Sequence, residues 1–282
     1  MCNMSDFKKY NNCLISNLLP HEVPDTSNIK EMIKKEKVIL ARWTTYFDNE
    51  KNSEWWYLIK DTPYDKEQLK SKDKYEINKG IKNFYVEIIN PILFLNELYE
   101  IFVTANNSYS KLSKTTITRD EFIKRIDENN IYIGAFERET KKLCAYSVCS
   151  IKTDVKKIKK VMDLSIIKSL PSKKSKGVNA ALMDYICNEY INKKKVNYIC
   201  DGERSIRHIT NFQNYLIKYF GFRKAYSKLN IEYNCIIKMI VKTLYPFRHF
   251  LKILSTKFDN RYIYNIYCIL YQEEIKRSFQ QK

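Results

Sequence analysis

The spacing of hydrophobic residues divides the first half of the chain into short elements. Residues 29 to 37 predict a helix that Asp25 or Ser27 caps, and residues 37 to 47 and 54 to 60 predict two strands of a hairpin. A charged stretch at 65 to 80 predicts a surface helix, which Gly80 would end as the residue after its C-cap. Residues 84 to 89 then predict a strand, and residues 92 to 109 an amphipathic helix.

The second half alternates strands with helices. Residues 131 to 151 predict a hairpin, and residues 159 to 167 a further strand that leads into a lysine-rich loop. A helix, a strand, a second helix and a last strand follow up to residue 233. This order favours an α/β (α+β) fold with a mixed, partly parallel twisted sheet flanked by helices. A helical C-terminal extension would follow it.

The C-terminal extension interleaves apolar residues with Lys238, Lys242, His249 and Lys252. At 100° per residue these four fall within about 80° of one another. Such a basic amphipathic helix is typical of membrane interfaces, so residues 236 to 254 could contact an anionic membrane. Alternatively, the apolar face packs on the protein's own sheet and the lysines face solvent. Pro246 would kink or split this helix.

These patterns predict three parts. An N-terminal segment at 1 to 60 carries a short helix and a β-hairpin, residues 61 to 234 form the main domain, and residues 235 to 282 form the basic helical tail. At 282 residues and 44% hydrophobic, the chain can bury a sizeable core, so disorder throughout is excluded.

Charge and cysteine content narrow the classes of partner. The net charge of +18 favours anionic partners, but the lysines are spread over the whole length and arginine is scarce, so we expect no nucleic acid partner. The eight cysteines form no CxxC pair, which predicts reduced, packed thiols and no metal site. With no apolar stretch of roughly 18 residues and no signal core, we expect a cytoplasmic protein, or one attached peripherally at the inner face of the membrane.

The most informative segment is the basic loop that leads into the helix at 178. Unpaired amides at a helix start, with a glycine that allows close approach, form a binding site for phosphate or diphosphate. The alternative is a loop that is merely solvated. The candidate anion-binding residues are Lys173, Lys174, Lys176, Gly177, Val178 and Asn179.

The same segment, Lys174-Ser-Lys-Gly-Val-Asn179, resembles the Q/R-x-x-G-x-G/A loop of the GNAT acyltransferase superfamily, with Lys for Gln/Arg and Asn for the last small residue. The surrounding order of strand, loop, helix, strand and helix is similar too. The resemblance implies a GNAT-like fold and acetyl-CoA, or another acyl-CoA, as the donor.

A second resemblance covers roughly residues 60 to 230. Residues 69 to 80, 198 to 205, 211 to 213 and 218 to 222 are similar to the Fem-type, peptidoglycan aminoacyltransferase-like branch of that superfamily. This resemblance implies transfer of an acyl group to an amine or hydroxyl of a cell-surface sugar or polysaccharide precursor, which can be lipid-linked. The alternatives are an aminoacyl-tRNA-dependent transferase, a non-catalytic relative that binds RNA or membrane, and a purely structural subunit.

Acyl transfer needs a base that removes a proton from the attacking group. Asp201 and Glu203 lie at the end of a strand, where many α/β enzymes place catalytic groups, and His208 titrates near neutral pH. Asp201 could instead be an N-cap or pair with Arg204 or Arg207. The tyrosine that GNAT enzymes use as an acid is replaced by Ile217.

Acceptor binding is inferred from the resemblance alone. Asn106 and Tyr109 follow the long helix, where related enzymes line the acceptor cleft, and Arg204 follows the strand that carries Asp201. These three residues are the candidate substrate-binding residues.

Overall fold

The computed structural model describes residues 6–50, 53–109, 117–206, 211–257 and 260–279. In this part of the chain the strands are β1 (Phe7–Tyr10), β2 (Cys13–Ser16), β3 (Leu40–Thr45), β4 (Trp56–Lys60), β5 (Phe84–Ile89), β6 (Ile131–Glu137), β7 (Leu143–Thr153), β8 (Lys160–Ser169), β9 (Tyr198–Glu203), β10 (Arg223–Tyr226) and β11 (Lys228–Tyr233). The helices are α1 (Ile29–Lys35), α2 (Ser71–Asn83), α3 (Leu95–Asn107), α4 (Arg119–Ile123), α5 (Val178–Ile186), α6 (Phe212–Phe220), α7 (Cys235–Leu244), α8 (Arg248–Lys257) and α9 (Arg261–Ser278).

The chain folds into two compact units that differ from the three expected parts. The first unit combines Met1–Tyr57, Glu203–Arg207 and Lys224–Lys282, and the second contains Leu58–Gly202 and His208–Arg223. The N-terminal segment and the helical tail therefore belong to one unit, whereas the sequence placed them at opposite ends of the main domain.

The second unit is built on a mixed sheet in the order β4-β9-β8-β7-β6-β5. Strands β5 to β8 pair antiparallel with their sequence neighbours, and β8 pairs parallel with β9. This arrangement confirms the predicted α/β class with a partly parallel sheet. The parallel step requires a crossover, which α5 and the π-helical turns at Cys187–Lys193 provide.

Helices cover both faces of this sheet. On one face Ile77 of α2 and Leu182 of α5 pack with Ile133 of β6 in one buried cluster. On the other, Leu98 of α3 packs with Tyr132, which is adjacent to Ile133. Neighbouring residues of a strand point to opposite faces, so the alternation along β6 explains why the two clusters are separate.

Helix α2 corrects the expectation for Gly80. The helix continues to Asn83, so Gly80 lies inside it and does not end it. Gly80 is buried together with Asp73 and Ile77, and a Cβ atom added to it would meet the backbone of Gly177 and Ala181. The helix is therefore packed against α5 and is not a surface helix, because the missing side chain allows the two backbones to approach closely.

The first unit has a four-stranded sheet in the order β1-β2-β3-β11. Both edges of β3 are occupied, since β2 pairs with it in parallel and β11 antiparallel. The predicted hairpin between residues 37 to 47 and 54 to 60 is therefore wrong, and β4 lies in the larger sheet.

The C-terminal helices complete the core of the first unit. Leu229 and Ile231 of β11 pack with Leu270 and Ile275 of α9 in one buried cluster. Alternate residues of β11 point to this side, so the strand needs an apolar partner, and α9 provides it.

The cysteines and the helices of the described residues can be compared with the composition. All seven cysteines among them are free thiols, five of them buried. Within the same ranges, no helix is both long enough and apolar enough to cross a membrane.

Candidate active site

The candidate active site lies where β8 and β9 of the second unit separate. Their parallel pairing covers three residue pairs and ends at Asp163, which lies opposite Cys200. Strand β8 continues to Ser169 and remains paired with β7 on its other side. In the described residues, the β8 edge beyond Asp163 is therefore left without a neighbouring strand, and such an edge can accept an extended chain through main-chain hydrogen bonds.

A bulge in β8 marks the beginning of this open edge. Val148 of β7 lies opposite Ile166, whereas Cys149 lies opposite Leu164, so Ser165 is an extra residue without a partner in β7. A bulged residue is left out of the ladder, and its groups can point elsewhere. The Ser165 hydroxyl donates a hydrogen bond of 3.1 Å to Asp163.

Asp201 directly follows Cys200, the last residue of β9 that pairs with β8. The pKa of its carboxyl is raised to about 7, mainly because the surrounding protein desolvates it; a hydrogen bond from Gln213 opposes the shift and the nearby Asp163 carboxylate adds to it. An Asp with this pKa exchanges a proton near neutral pH, as a general base must. Perturbed carboxyls of this kind are concentrated at functional sites.

Tyr109 reaches the open part of β8 from the segment after α3. The Lys168 ammonium donates a 3.1 Å hydrogen bond to the Tyr109 hydroxyl and lies 4.7 Å from the centre of that ring. Asn106, in contrast, is buried within α3. Of the two candidate acceptor residues on this segment, Tyr109 is the one that the structure brings to β8.

Gly177 does not offer its amide to a diphosphate. Its N–H donates to the Lys174 carbonyl at 3.0 Å, and a Cβ placed on it would lie 2.9 Å from the backbone of Gly80. Its positive φ of 85° allows a tight turn that packs against α2. The Gly177 amide is therefore not one of the unpaired N–H groups that the sequence predicted at this bend, because it is bonded within the turn and α2 packs against it.

The other residues of the loop are arranged around Glu137. Lys173 and Lys176 form ion pairs of 2.7 and 2.9 Å with this buried carboxylate. Lys174 is exposed, with no ion pair in the described part of the chain. Val178 is fully buried, and the side-chain oxygen of Asn179 is buried without a hydrogen-bond partner.

At Gly177 itself the loop therefore offers a diphosphate less than the sequence predicted. Diphosphate binding at a helix start uses unpaired backbone amides together with available positive charge. Here the amide of Gly177 is bonded to Lys174, and two of the three lysines compensate Glu137. The open edge of β8 remains the part of the site that suits an extended ligand.

The remaining candidates for catalysis are placed elsewhere or not described. Glu203 belongs to the first unit, where its carboxylate accepts hydrogen bonds from Arg42 at 2.6 Å and Tyr57 at 3.0 Å. Arg204 stacks on Trp56 in the same unit. His208, like Arg207, lies outside the described residues.

Arg204, which the sequence offered as a possible ion-pair partner of Asp201, pairs with other residues. The Arg204 guanidinium pairs with Glu54 at 2.7 Å and donates to the Tyr271 hydroxyl at 2.7 Å. These contacts occupy the guanidinium of Arg204, which the sequence had assigned to substrate binding.

Sequence reasoning missed three residues of the site. Asp163, Ser165 and Lys168 all lie in β8, which was predicted only as a strand. One signal was available, since a charged and a hydroxyl residue interrupt an apolar strand in Met-Asp-Leu-Ser-Ile-Ile. No group of three or more His, Cys, Asp or Glu side chains that would suit a metal occurs among the residues that the structure describes.

Glu137→Gln is expected to lower the free energy of unfolding by about 1–3 kcal/mol at pH 7, because it leaves Lys173 without its buried counterion. Hydrogen bonds from Lys173, Lys176 and Thr140 lower the pKa of Glu137 to about 2. A depressed carboxyl pKa stabilises the fold above the unfolded value and loses that effect as pH falls toward 2. Urea denaturation between pH 2 and 7 should show the difference from wild type shrinking with acidification. A difference that is constant with pH would contradict the ion-pair explanation.

Comparisons with known proteins give fold likenesses only. No protein-family model matches the chain, and no curated protein matches it either. Among solved structures, L-PGS from Bacillus licheniformis has a TM-score of 0.49 at 11% identity and covers 86% of this chain and 84% of that chain. The C-terminal domain (DUF2156) of a putative lysylphosphatidylglycerol synthetase from Agrobacterium fabrum has a TM-score of 0.49 at 9% identity and covers 84% and 83%.

A glucosamine N-acetyltransferase region, related to GCN5, of a fungal multi-domain GH3 beta-N-acetylglucosaminidase has a TM-score of 0.32 at 17% identity. This match covers 40% of the present chain and only 12% of the fungal one. None of these three TM-scores reaches 0.5, so the likenesses assign neither a family nor an activity.

Proposed function

We propose that the protein is an acyltransferase whose reaction takes place where β8 and β9 separate. The observation that supports it is the position of Asp201, a half-buried residue whose carboxyl has a pKa of about 7, next to the open edge of β8. The substrates would be an activated acyl donor and an acceptor with an amine or a hydroxyl group.

The site residues would act in a simple sequence. The acceptor nitrogen or oxygen attacks the acyl carbonyl, Asp201 takes the proton that the acceptor loses, and the thiolate or alkoxide of the donor leaves. The bulge at Ser165 supplies main-chain groups that are not used by β7, and preorganised donors of this kind stabilise a developing oxyanion. Holding both substrates along β8 contributes through positioning.

The first candidate is transfer from an acyl thioester to a cell-surface sugar precursor, as the GNAT and Fem-type resemblance implies. A pantetheine-type arm carries amides along an extended chain, and the free edge of β8 is suited to hydrogen-bond it. The donor would lie along that edge without its diphosphate at Gly177. Tyr109 and Lys168 are the residues proposed to contact the acceptor.

The second candidate is aminoacyl transfer from tRNA to the same class of acceptor. One observation favours it, namely that the turn at Gly177 is closed by Gly80. An aminoacyl ester needs no diphosphate pocket at that position. The leaving group would be the ribose hydroxyl of the tRNA terminus, with the proton balance unchanged.

Transfer assays with the full chain test both candidates. Acetyl-CoA and a mixture of aminoacyl-tRNAs serve as separate donors, a nucleotide-linked amino sugar is the acceptor, and mass spectrometry detects the product. Product from acetyl-CoA alone supports the first candidate, and product from aminoacyl-tRNA alone the second. If neither donor gives product, or if Asp201→Asn gives as much as wild type, the proposal is refuted.

A further inference from the structure

We propose that α7 and α8 of the first unit form a docking surface for an anionic lipid bilayer. This surface does not depend on the acyltransferase proposal, because it uses no residue of the candidate active site. Below, the docking surface means the exposed side chains of Ile236, Met239, Ile240, Phe247, Phe250 and Ile253 with the basic residues beside them.

The apolar side chains of the docking surface are exposed together. Met239 of α7 is 66% exposed and Phe250 of α8 is 59% exposed, and the other four exceed 40%. On α7 these residues are spaced three and four apart, and Phe250 and Ile253 of α8 are three apart, as is Phe247 in the turn before it, so each set lies on one side of its segment. Single exposed apolar residues are ordinary, whereas sets that follow the helical period on successive helices are typical of an interaction surface.

Another side of the same helices is already used by the fold. Val241 is buried, and Ile237, Leu244 and Leu251 pack against the cluster that contains β11 and α9. The helices therefore need no further apolar contact for the first unit to fold. Packing on the protein's own sheet, which the sequence offered as the alternative to membrane contact, accounts for only one of the two apolar sides.

The charge of this segment suits an anionic partner. Residues 235 to 257 contain five Lys or Arg and no Asp or Glu. Lys238 and Lys242 are exposed and form no ion pair with a described residue. At about 100° per residue they lie roughly 155° and 115° from the centre of the exposed apolar side, so α7 carries separate apolar and basic sides, as do helices that lie in a membrane interface.

A cavity next to the start of α7 extends the basic surface. It has a volume of about 750 Å³, and its lining includes Lys30, Lys34, Lys37, Lys238 and Ile236. Two glutamates, Glu31 and Glu232, also line it, so its lysines outnumber its carboxylates. The cavity therefore places positive charge at the level where a phosphate headgroup would meet the exposed Ile236.

A bilayer suits both the exposed apolar side chains and the lysines better than RNA or a second copy of this protein does. RNA would pair with the lysines but has no use for exposed Ile236, Ile240 and Ile253, because aliphatic side chains do not stack on bases as aromatic ones do. A second copy would bring two faces of the same charge together, which is unfavourable. A bilayer takes the apolar side chains below its headgroups and the lysines at them.

Vesicle co-sedimentation tests the docking surface. Wild-type protein is mixed with vesicles of pure phosphatidylcholine or of phosphatidylcholine with 30% phosphatidylglycerol (roughly the anionic content that gives a strong surface potential). We expect binding to the anionic vesicles only. The pairs Met239→Ser with Phe250→Ser and Lys238→Glu with Lys242→Glu should each lower the partition coefficient by about tenfold or more. All four positions are exposed, so these variants should keep the fold.

Matched controls come from the turn between β7 and β8, which also exposes apolar and basic residues. Val155 and Ile158 are 78% and 70% exposed, and Lys156 and Lys159 are exposed beside them. Ser at the first two and Glu at the second two should leave vesicle binding unchanged. Equal loss in these controls would show unspecific attraction and overturn the proposal.

Three further outcomes would also reject it. These are no binding of wild type to anionic vesicles, binding to a single-stranded RNA that the Met239→Ser/Phe250→Ser variant retains, and a dimer in solution that this variant converts to monomer. Asp201→Asn should bind vesicles like wild type whether or not the protein proves to be an acyltransferase. A failure of the function proposal would thereby be distinguished from a failure of the docking surface.

Discussion

Asp201→Asn is expected to lower the rate of acyl transfer by about 10²–10⁴-fold, because the amide cannot take the proton of the attacking group. The rate of the wild type should rise tenfold per pH unit below pH 7 and level off above it. This profile follows from the pKa of about 7 for Asp201, since only the carboxylate form acts as a base. Initial rates between pH 5 and 9 measure it.

The same substitution is expected to stabilise the protein at high pH. Because the folded-state pKa of Asp201 is raised from 3.8, the folded protein binds more protons than the unfolded chain between pH 4 and 7, and stability falls as pH rises through that window. Above pH 7 the wild type bears the full cost of a buried carboxylate. Asn removes that cost, so its free energy of unfolding at pH 8 should exceed the wild-type value by about 1–3 kcal/mol.

Glu203→Gln is the matched control, since it neutralises another carboxylate on the same strand. Its charge is compensated by Arg42 and its second oxygen accepts from Tyr57, so we expect a rate within about threefold of wild type and a stability lower by about 1–2 kcal/mol. Loss of a catalytic base is thus expected to lower the rate and raise the stability, whereas loss of a structural ion pair is expected to lower the stability and leave the rate nearly unchanged. If Asp201→Asn instead lowers stability and spares the rate, Asp201 is a structural residue.

Local patterns predicted the second unit better than the first. The strand, loop, helix and strand from β8 to β9 follow from hydrophobic periodicity and one glycine, and they were found where expected. The first unit was missed because its sheet pairs β3 with β11, although β3 ends at Thr45 and β11 begins only at Lys228. Pairing over such distances in sequence leaves no mark on local periodicity, and two adjacent strands suggested a hairpin instead.

The candidate active site, too, could be predicted from the sequence only in part. The acidic strand end at Asp201 was identifiable, because its type and position suit proton transfer. The packing of Gly80 against the Gly177 turn could not be identified from the sequence. Gly80 lies almost 100 residues earlier, and its position in the sequence suggested the end of a helix. The neutralisation of Lys173 and Lys176 by Glu137 was hidden for the same reason. Loop composition shows which charges are present, and only tertiary structure shows which of them are already compensated.

Gly177→Ala is expected to lower the free energy of unfolding by roughly 2–5 kcal/mol. Two penalties add, the cost of a positive φ for a residue with a Cβ and the overpacking of that Cβ against Gly80. Gly202→Ala separates them, since Gly202 has a φ of 90° and nothing within 4 Å of the added Cβ. It should cost only roughly 1–2 kcal/mol. Urea denaturation at pH 7 measures both variants.

Gly80→Ala tests the contact between Gly80 and Gly177 from the side of α2. Alanine favours a helix interior over glycine by about 1 kcal/mol, so an uncrowded position would gain stability. Here the added Cβ would lie 2.9 Å from the Ala181 amide nitrogen, and we expect a loss of about 1–3 kcal/mol instead. Because Gly80 and Gly177 share one contact, the double variant should lose less than the sum of the two single losses. A stabilised Gly80→Ala would mean that the turn is open and that a diphosphate could reach it, whereas strict additivity would mean that the two glycines do not share one contact.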